Sequence, residues 1–320
     1  MAKRAPGHES RLSKADLPLV QGRVYHLDLS PAQLSPFILI VGDPARAEAI
    51  AQGHFSSIEC RAEHRGLVSI TGIARRTGQR VSVVTSGMGT PSLEIVVNEL
   101  CALRTIDFDS RQTNEDSQSP FNIIRIGTSG GLQEDTPLGA LVVTEYALGL
   151  DNTGLFYEVP CSDPMVELIE RESLAALRAQ ARPGSRLAER IAPYAAASDR
   201  ALTESLATEA RMTGVPTVTG VTASHSGFFA NQGRDISSIP LVIPDIDAVL
   251  ANLRFGPRKL RVENMEMEAS FLCHFANGIG GRAGAICVAI ANRHTNTFAK
   301  NWQESLEAAT EAALKTLVAS

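Results

Sequence analysis

The stretch Phe37-Ile-Leu-Ile-Val-Gly-Asp-Pro-Ala-Arg46 decides how this chain is read. Its apolar, β-branched opening has the composition of a strand, and Gly-Asp-Pro ends that strand and starts a helix. Such a junction offers backbone N–H groups to an anion, and Arg46 adds positive charge beside them. Taken alone, the string is more often only a strand-to-helix turn.

Working outward, short apolar runs alternate with longer amphipathic segments, the pattern of an α/β domain with a central sheet. The runs predict strands over 37–41, 67–71, 81–85, 122–126, 141–144, 217–223 and 285–291. Helices are predicted over 92–103, 164–180, 200–213, 266–277 and 302–318. In the last of these, Leu306, Ala309, Ala313, Leu314 and Leu317 recur at helical spacing while Glu304, Glu307 and Glu311 fall mostly off that stripe. The polar stretch 107–121 and the Ser- and Pro-broken stretch 235–245 read as loops. Residues 1–22 read as a flexible tail and 23–320 as a single domain.

With 320 residues, 44% hydrophobic and 20% charged, the chain has enough apolar sequence for a full-sized core. A formal net charge of -5 provides no basic surface for a polyphosphate backbone, so nucleic acid is not expected as a partner. No run reaches membrane-spanning length, and no apolar segment follows Lys3, Arg4, Arg11 and Lys14 as a secretory signal requires. A cytoplasmic location is therefore expected, and the five widely spaced cysteines read as buried thiols of a reducing compartment. No Cys-x-x-Cys and no histidine pair at ligand spacing occurs, so no metal is expected.

Further strings repeat the strand-to-turn design. Arg125-Ile-Gly-Thr-Ser-Gly-Gly131 sets a cation, a hydroxyl on Thr128 and permissive glycines at the end of a strand, without the Gly-x-Gly-x-x-Gly spacing of a dinucleotide site. Thr85-Ser-Gly-Met-Gly-Thr-Pro-Ser92 is a third such turn. In Gly220-Val-Thr-Ala-Ser-His-Ser-Gly-Phe-Phe-Ala-Asn-Gln-Gly-Arg234, Phe228 stands close to Gln232 and Arg234: an aromatic platform, an amide and a guanidinium suit a planar base. The same phenylalanines also suit a core under a surface loop. Val262-Glu-Asn-Met-Glu-Met-Glu268 places Glu266 and Glu268 at a predicted helix start, where carboxylates either favour the helix dipole or accept from a sugar diol. Ile290-Ala-Asn-Arg293 closes the last strand.

In this order and at these separations, Gly-Asp-Pro-x-Arg, Arg-Ile-Gly-Thr-Ser-Gly, Phe-x-x-x-Gln-x-Arg and Glu-Met-Glu resemble the nucleoside phosphorylase family that contains uridine phosphorylases. The resemblance runs from about Val24 to the C-terminus and implies a single-domain α/β sandwich with a mixed, partly closed central β-sheet flanked by helices. It implies phosphate binding by Gly42, Arg46, Arg125 and Thr128, with Arg65 reaching in from a partner subunit. It implies ribose binding by Met267 and Glu268, with Glu266 beside them and His26 approaching the 5′-hydroxyl from the partner. Phe228, Gln232, Arg234, Ile290, Ala291 and Arg293 are implied to receive the base, and Arg125, Gln232 and Arg234 to assist catalysis.

The implied reaction is phosphorolysis of uridine to uracil and ribose 1-phosphate, with deoxyuridine and thymidine as further candidates. Inorganic phosphate is the expected co-substrate, with no other cofactor. Purine-cleaving relatives carry an Asp after the last core strand where this chain has Ala-Asn-Arg293, which favours a pyrimidine. A purine nucleoside phosphorylase, a nucleosidase and a non-catalytic nucleoside-binding protein are the alternatives on this fold. Gly66 stands where bacterial uridine phosphorylases have a cation-binding Glu, and 107–121 is longer than in their hexamers. A homodimer with shared active sites is expected ahead of a hexamer.

Overall fold

The computed structural model describes residues 12–114 and 121–319. Its first long strand, β1 (Phe37–Val41), is apolar throughout because both faces are covered. Leu39 and Val41 face one helical layer while Ile38 and Ile40 face the other. Asp43 then caps helix α1 (Pro44–His54), its carboxylate accepting from the Ala45 N–H at 3.0 Å.

Strands β2 (Phe55–His64), β3 (Leu67–Ala74) and β4 (Arg80–Thr85) precede helix α2 (Thr90–Thr105). Then come β5 (Asn122–Gly131), β6 (Leu141–Leu150), α3 (Pro164–Gln180), α4 (Arg200–Met212) and β7 (Thr217–His225). The chain continues through α5 (Ile246–Asn252), β8 (Leu260–Glu266), α6 (Ala269–Ile279), β9 (Arg282–Asn292) and α7 (Gln303–Ala319). The main sheet runs β8, β7, β6, β9, β5, β1, β4, β3, β2, with short strands at Tyr194–Ala197, Arg254–Phe255 and Thr297–Phe298 added to β6, β8 and β9.

Pairing is parallel for β1 with β4 and β5, for β5 with β9, and for β7 with β6 and β8. It is antiparallel for β6 with β9 and along β2, β3 and β4. One further antiparallel contact, Asn264 with Gly131 and Met265 with Gly130, joins β8 to β5. That contact closes β5, β9, β6, β7 and β8 into a ring, so the sheet is mixed and partly closed, as expected.

Helices cover both faces. Ala47, Ile50, Leu206, Ala210, Ala309, Ala313 and Leu317 pack on one side, and Leu93, Val97, Leu100, Phe271, Leu272 and Phe275 on the other. A third cluster sets Val166, Ile169, Ile246 and Leu250 against Val221, Val262 and Met265. Each large side chain buried in this way contributes about 1.5–3 kcal/mol through loss of apolar surface from water.

Several sequence expectations change here. The polar lead-in is tied down over its described part: the Leu12 N–H donates to Arg111 O at 2.9 Å, and the Arg111 guanidinium holds Ser13 O and Leu17 O at 3.0 and 2.9 Å. Leu17 is buried and Leu19–Val20 pairs with Arg23–Val24; residues 1–11 lie outside the described part. Within 107–121, Gln112–Thr113 pairs back onto Ile106–Asp107, and 115–120 also lies outside the description. Glu266 ends a strand instead of opening a helix, because β8 carries its buried Glu263, Asn264 and Glu266 inside a sheet. Arg125–Gly131 is strand to its end rather than a turn. Among the described residues no helix is long and apolar enough to cross a membrane.

Candidate active site

The ring closure brings together the ends of β1, β4, β5, β7, β8 and β9 around one cavity of about 980 Å³. Gly42, Arg46, Arg125, Thr128, Phe228, Gln232, Arg234, Glu266, Met267, Glu268, Ile290, Ala291 and Arg293 all line it. Strings from Gly42 to Arg293 therefore meet in one place. His26 and Arg65 do not line this cavity.

Arg125 is the buried hinge of the arrangement, 5% exposed, between Glu266 and Glu268 at 3% and 4%. Its Nη2 donates to a Glu268 oxygen and stands 3.1 Å from Glu266 Oε2, while Nη1 lies 3.3 Å from Cys287 Sγ. Burial alone would loosen the Arg125 proton, but the Glu268 and Glu266 charges outweigh it and hold the guanidinium above the usual arginine value. Burial pushes the Glu266 carboxyl above the usual carboxylate range, against the pull of Arg125 and with the help of Glu268. Gly127 makes room for the guanidinium: a Cβ there would stand 1.8 Å from Arg125 Nη1.

The two carboxylates do different work. Glu266 accepts the Glu268 and Ala269 N–H groups at 2.9 Å each and the Ser224 hydroxyl, so it ties β8 to α6 and β7. That is capping from a strand end. Glu268 accepts from Arg125 and from the Gly89 N–H at 2.5 Å, at the start of α2.

Arg46, like Arg234, makes no ion pair with a carboxylate among the described residues. Its Nη1 donates to Ile126 O at 3.2 Å, its buried Nε has no hydrogen-bond partner, and among the described residues no acidic group lies within ion-pair distance. Burial, then the Arg125 charge, push it below the usual arginine value. A bound anion relieves both effects. Thr128 and the Gly42 turn line the same part of the cavity, and Gly42 approaches Gly87 closely enough that a Cβ would meet its carbonyl oxygen at 3.3 Å.

At the other end, the Arg234 guanidinium lies over the Phe228 ring at 4.0 Å and donates to Gln232 Oε1 at 2.5 Å and Phe228 O at 2.6 Å. An arginine only donates, so the amide oxygen of Gln232 is spent on Arg234 and its NH₂ is the donor left for a ligand. Phe228 is half exposed, so it is not part of the core. Arg293 is held by Asp247 Oδ2 at 2.8 and 3.0 Å. Asn292 is fixed by Gln133 O and Thr136 O at 2.9 and 2.8 Å.

Arg65 and Gly66, with φ of 53° and 78°, form the two-residue turn between β2 and β3, where His64 pairs with Leu67. Two successive positive φ values are what such a hairpin demands, and this explains Gly66. Arg65 stands at the exposed tip with its guanidinium 5.9 Å from the Tyr25 ring centre. His26 lies beside it on the same edge.

Sequence reading assigned no ligand role to Gly87 and Met88 of the third glycine turn, nor to Asn296, Thr297 and Phe298, which also line the cavity. Met88 and Phe298 are exposed at 83% and 67%, and an apolar side chain open at a cavity mouth is a signal only the fold makes visible.

His225, at the end of β7, is completely buried, and neither ring nitrogen makes a well-aligned hydrogen bond. Burial chiefly, with the Arg234 charge adding and the Asn231 backbone opposing, lowers it to about 3. A depressed histidine contributes stability that is whole above its unfolded value near 6.5 and is lost as pH falls toward 3, because only the unfolded chain takes up the proton. His225→Phe is expected to lose about 2 kcal/mol less stability than the unsubstituted protein between about pH 7 and about pH 5. Denaturant unfolding at the two pH values reads this, and equal losses would contradict it.

The model of the phosphorylase superfamily matches residues 36–319. A uridine phosphorylase of Thermococcus kodakarensis is 29% identical over 297 residues, 93% of this chain and 87% of that protein. A purine nucleoside phosphorylase of the DeoD type from an Exiguobacterium species is 36% identical over 118 residues, only 37% of this chain and 43% of that one. Among solved structures, a Trypanosoma brucei nucleoside phosphorylase described as showing uridine phosphorylase activity superposes with a TM-score of 0.81 at 30% identity. That superposition covers 95% of this chain and 98% of the other. With the fold, the site and the family model in agreement, the chain belongs to the phosphorylase superfamily.

Proposed function

We propose that this chain is a uridine phosphorylase, a cytoplasmic pentosyltransferase that converts uridine and inorganic phosphate to uracil and ribose 1-phosphate. The observation that carries the reading is Arg46, a half-buried cation whose Nε is buried without a hydrogen-bond partner and which pairs with no carboxylate among the described residues, in a cavity that also offers Phe228, Gln232 and Arg234. Phosphate held by Arg46, Thr128 and the Gly42 turn faces C1′ of the ribose and attacks it as the glycosidic bond lengthens. Positive charge gathers on the sugar beside that dianion, and negative charge on the departing base. Gln232 and Arg234 donate to the base most strongly when that charge arrives, which lowers the barrier rather than merely binding substrate. Met267 and Glu268 hold the ribose hydroxyls. No cofactor or metal is called for.

Similarity over most of the chain to a uridine phosphorylase favours the pyrimidine. Among the described residues, Asp43, Glu266 and Glu268 are the acidic ones that line the cavity, and they stand near Arg46 and Arg125 rather than beside Gln232 and Arg234, which leaves no lining acid there to protonate a purine. The local similarity to a purine nucleoside phosphorylase keeps that activity as the second reading. A nucleosidase would leave the buried Nε of Arg46 without an anion to receive its hydrogen.

Incubation with uridine, thymidine, inosine and adenosine, each with and without phosphate, tests the proposal. Uridine is expected to be cleaved only with phosphate or arsenate, giving ribose 1-phosphate with the former; equal rates in phosphate-free buffer would sink it.

Arg125 is already matched by two carboxylates, so a phosphate dianion needs cationic groups beyond Arg46, and Arg65 at an exposed hairpin tip suits delivery to a second copy of the chain. In a homodimer with shared sites, Arg46→Ala and Arg65→Ala are each expected to be nearly inactive. Co-expressed, about half the dimers are mixed and each has one intact site, so about a quarter of the unsubstituted activity returns. No recovery, with mixed dimers confirmed by differential tags, would place Arg65 outside the partner's site.

A further inference from the structure

Glu99 is a buried carboxylate in the middle of α2, away from the cavity. Both of its oxygens serve one short segment. Oε1 accepts the His26 backbone N–H at 2.8 Å and stands 2.7 Å from His26 Nδ1. Oε2 accepts the Leu27 N–H at 2.8 Å and the His26 N–H at 3.1 Å.

A carboxylate needed only to anchor backbone would leave the imidazole free to turn, whereas this one takes hold of the ring as well. An ionised carboxylate only accepts, so the hydrogen of the ring contact belongs to Nδ1. That leaves Nε2, with no partner among the described residues, as the histidine atom open to a ligand. Tyr25 extends the array: its ring meets His26 edge-on at 5.0 Å and His64 at 5.3 Å, and Arg65 Nη1 lies 3.5 Å from its hydroxyl. Both residues assigned above to a partner's site therefore stand on one continuous edge, and Glu99 is its buried footing.

We infer that Glu99 is a positioning residue for ribose recognition, fixing His26 so that Nε2 meets the 5′-hydroxyl of a nucleoside held in the other subunit's site. This rests on the shared-site reading proposed above. Preorganisation is the physical gain: a ring already locked in rotamer and tautomer loses little freedom when the hydroxyl arrives.

Steady-state kinetics of the full-length homodimer with uridine and with 5′-deoxyuridine separates this role from a structural one. The unsubstituted enzyme is expected to favour uridine by about tenfold in kcat/KM, the size of one well-placed hydrogen bond. Glu99→Gln and His26→Ala should each bring that ratio toward one, chiefly through a rise in KM for uridine. The double variant should lower the ratio no further than His26→Ala alone. An equal loss on both substrates with the ratio preserved would make Glu99 merely structural and overturn the inference, as would an unsubstituted enzyme indifferent to the 5′-hydroxyl.

Nitrogen-15 NMR of the unsubstituted protein, with His26 identified by the signals missing from His26→Ala, gives a second reading that needs no Glu99 variant to fold. A proton on Nδ1 supports the inference and its absence overturns it. Failure to cleave any nucleoside would count against the phosphorylase reading instead, with the tautomer result still deciding whether Glu99 fixes the ring.

Discussion

The structure depends on a buried guanidinium between two carboxylates. Arg125 in β5, Glu266 at the end of β8 and Glu268 before α6 meet where two strands close the sheet through only two residue pairs. Charges taken out of water this completely persist when they are paired: Ser224, Gly89, Glu268 and Ala269 donate to the carboxylates and Arg125 meets both through Nη2, while its buried Nε has no hydrogen-bond partner. Removing one member of such a group strands the others and costs about 3–5 kcal/mol. The triad thus binds the closing strand, the start of α2 and the start of α6 to one point, and the cavity is the space that remains around it.

The same triad sets the electrostatics of the cavity. Arg46 and Arg125 line it together with Asp43, Glu266 and Glu268, and Arg125 has most of its charge answered by Glu266 and Glu268. Affinity for a dianion then rests on Arg46 and on whatever positive charge comes from outside the chain. The base end works by different means: Arg234 stacks on Phe228 and is steadied by Gln232, while Arg293 is held by Asp247. One end of the cavity awaits charge, and the other awaits a plane with acceptors on its edge.

Much of this was legible in the sequence where one residue's chemistry spoke for itself. Phe37–Val41 and Pro164–Gln180 match their predicted bounds, because an apolar run closed by Gly-Asp-Pro and a helix opened by Asp163-Pro164 are locally unambiguous. β2 was missed because Phe55–His64 is mostly exposed and has no apolar run. β8 was misread because its buried face is polar, and Glu266 looked like a helix start when it caps one from a strand. The pairing of Arg125 with both carboxylates was also out of reach, since it depends on a closure between residues more than a hundred positions apart. Glu99 gave no signal at all: nothing in Glu-Leu-Cys-Ala announces a carboxylate turned toward His26.

On the proposed reading, the cavity of a single chain lacks the positive charge to hold phosphate firmly and a second subunit supplies it. Phosphate affinity, measured by phosphorus NMR or calorimetry through a dilution series that takes the protein from dimer to monomer, tests that claim most directly. Affinity is expected to fall about tenfold or more as subunits separate, the effect of losing one charged hydrogen-bond donor. An affinity that stays constant while sedimentation confirms dissociation would contradict it.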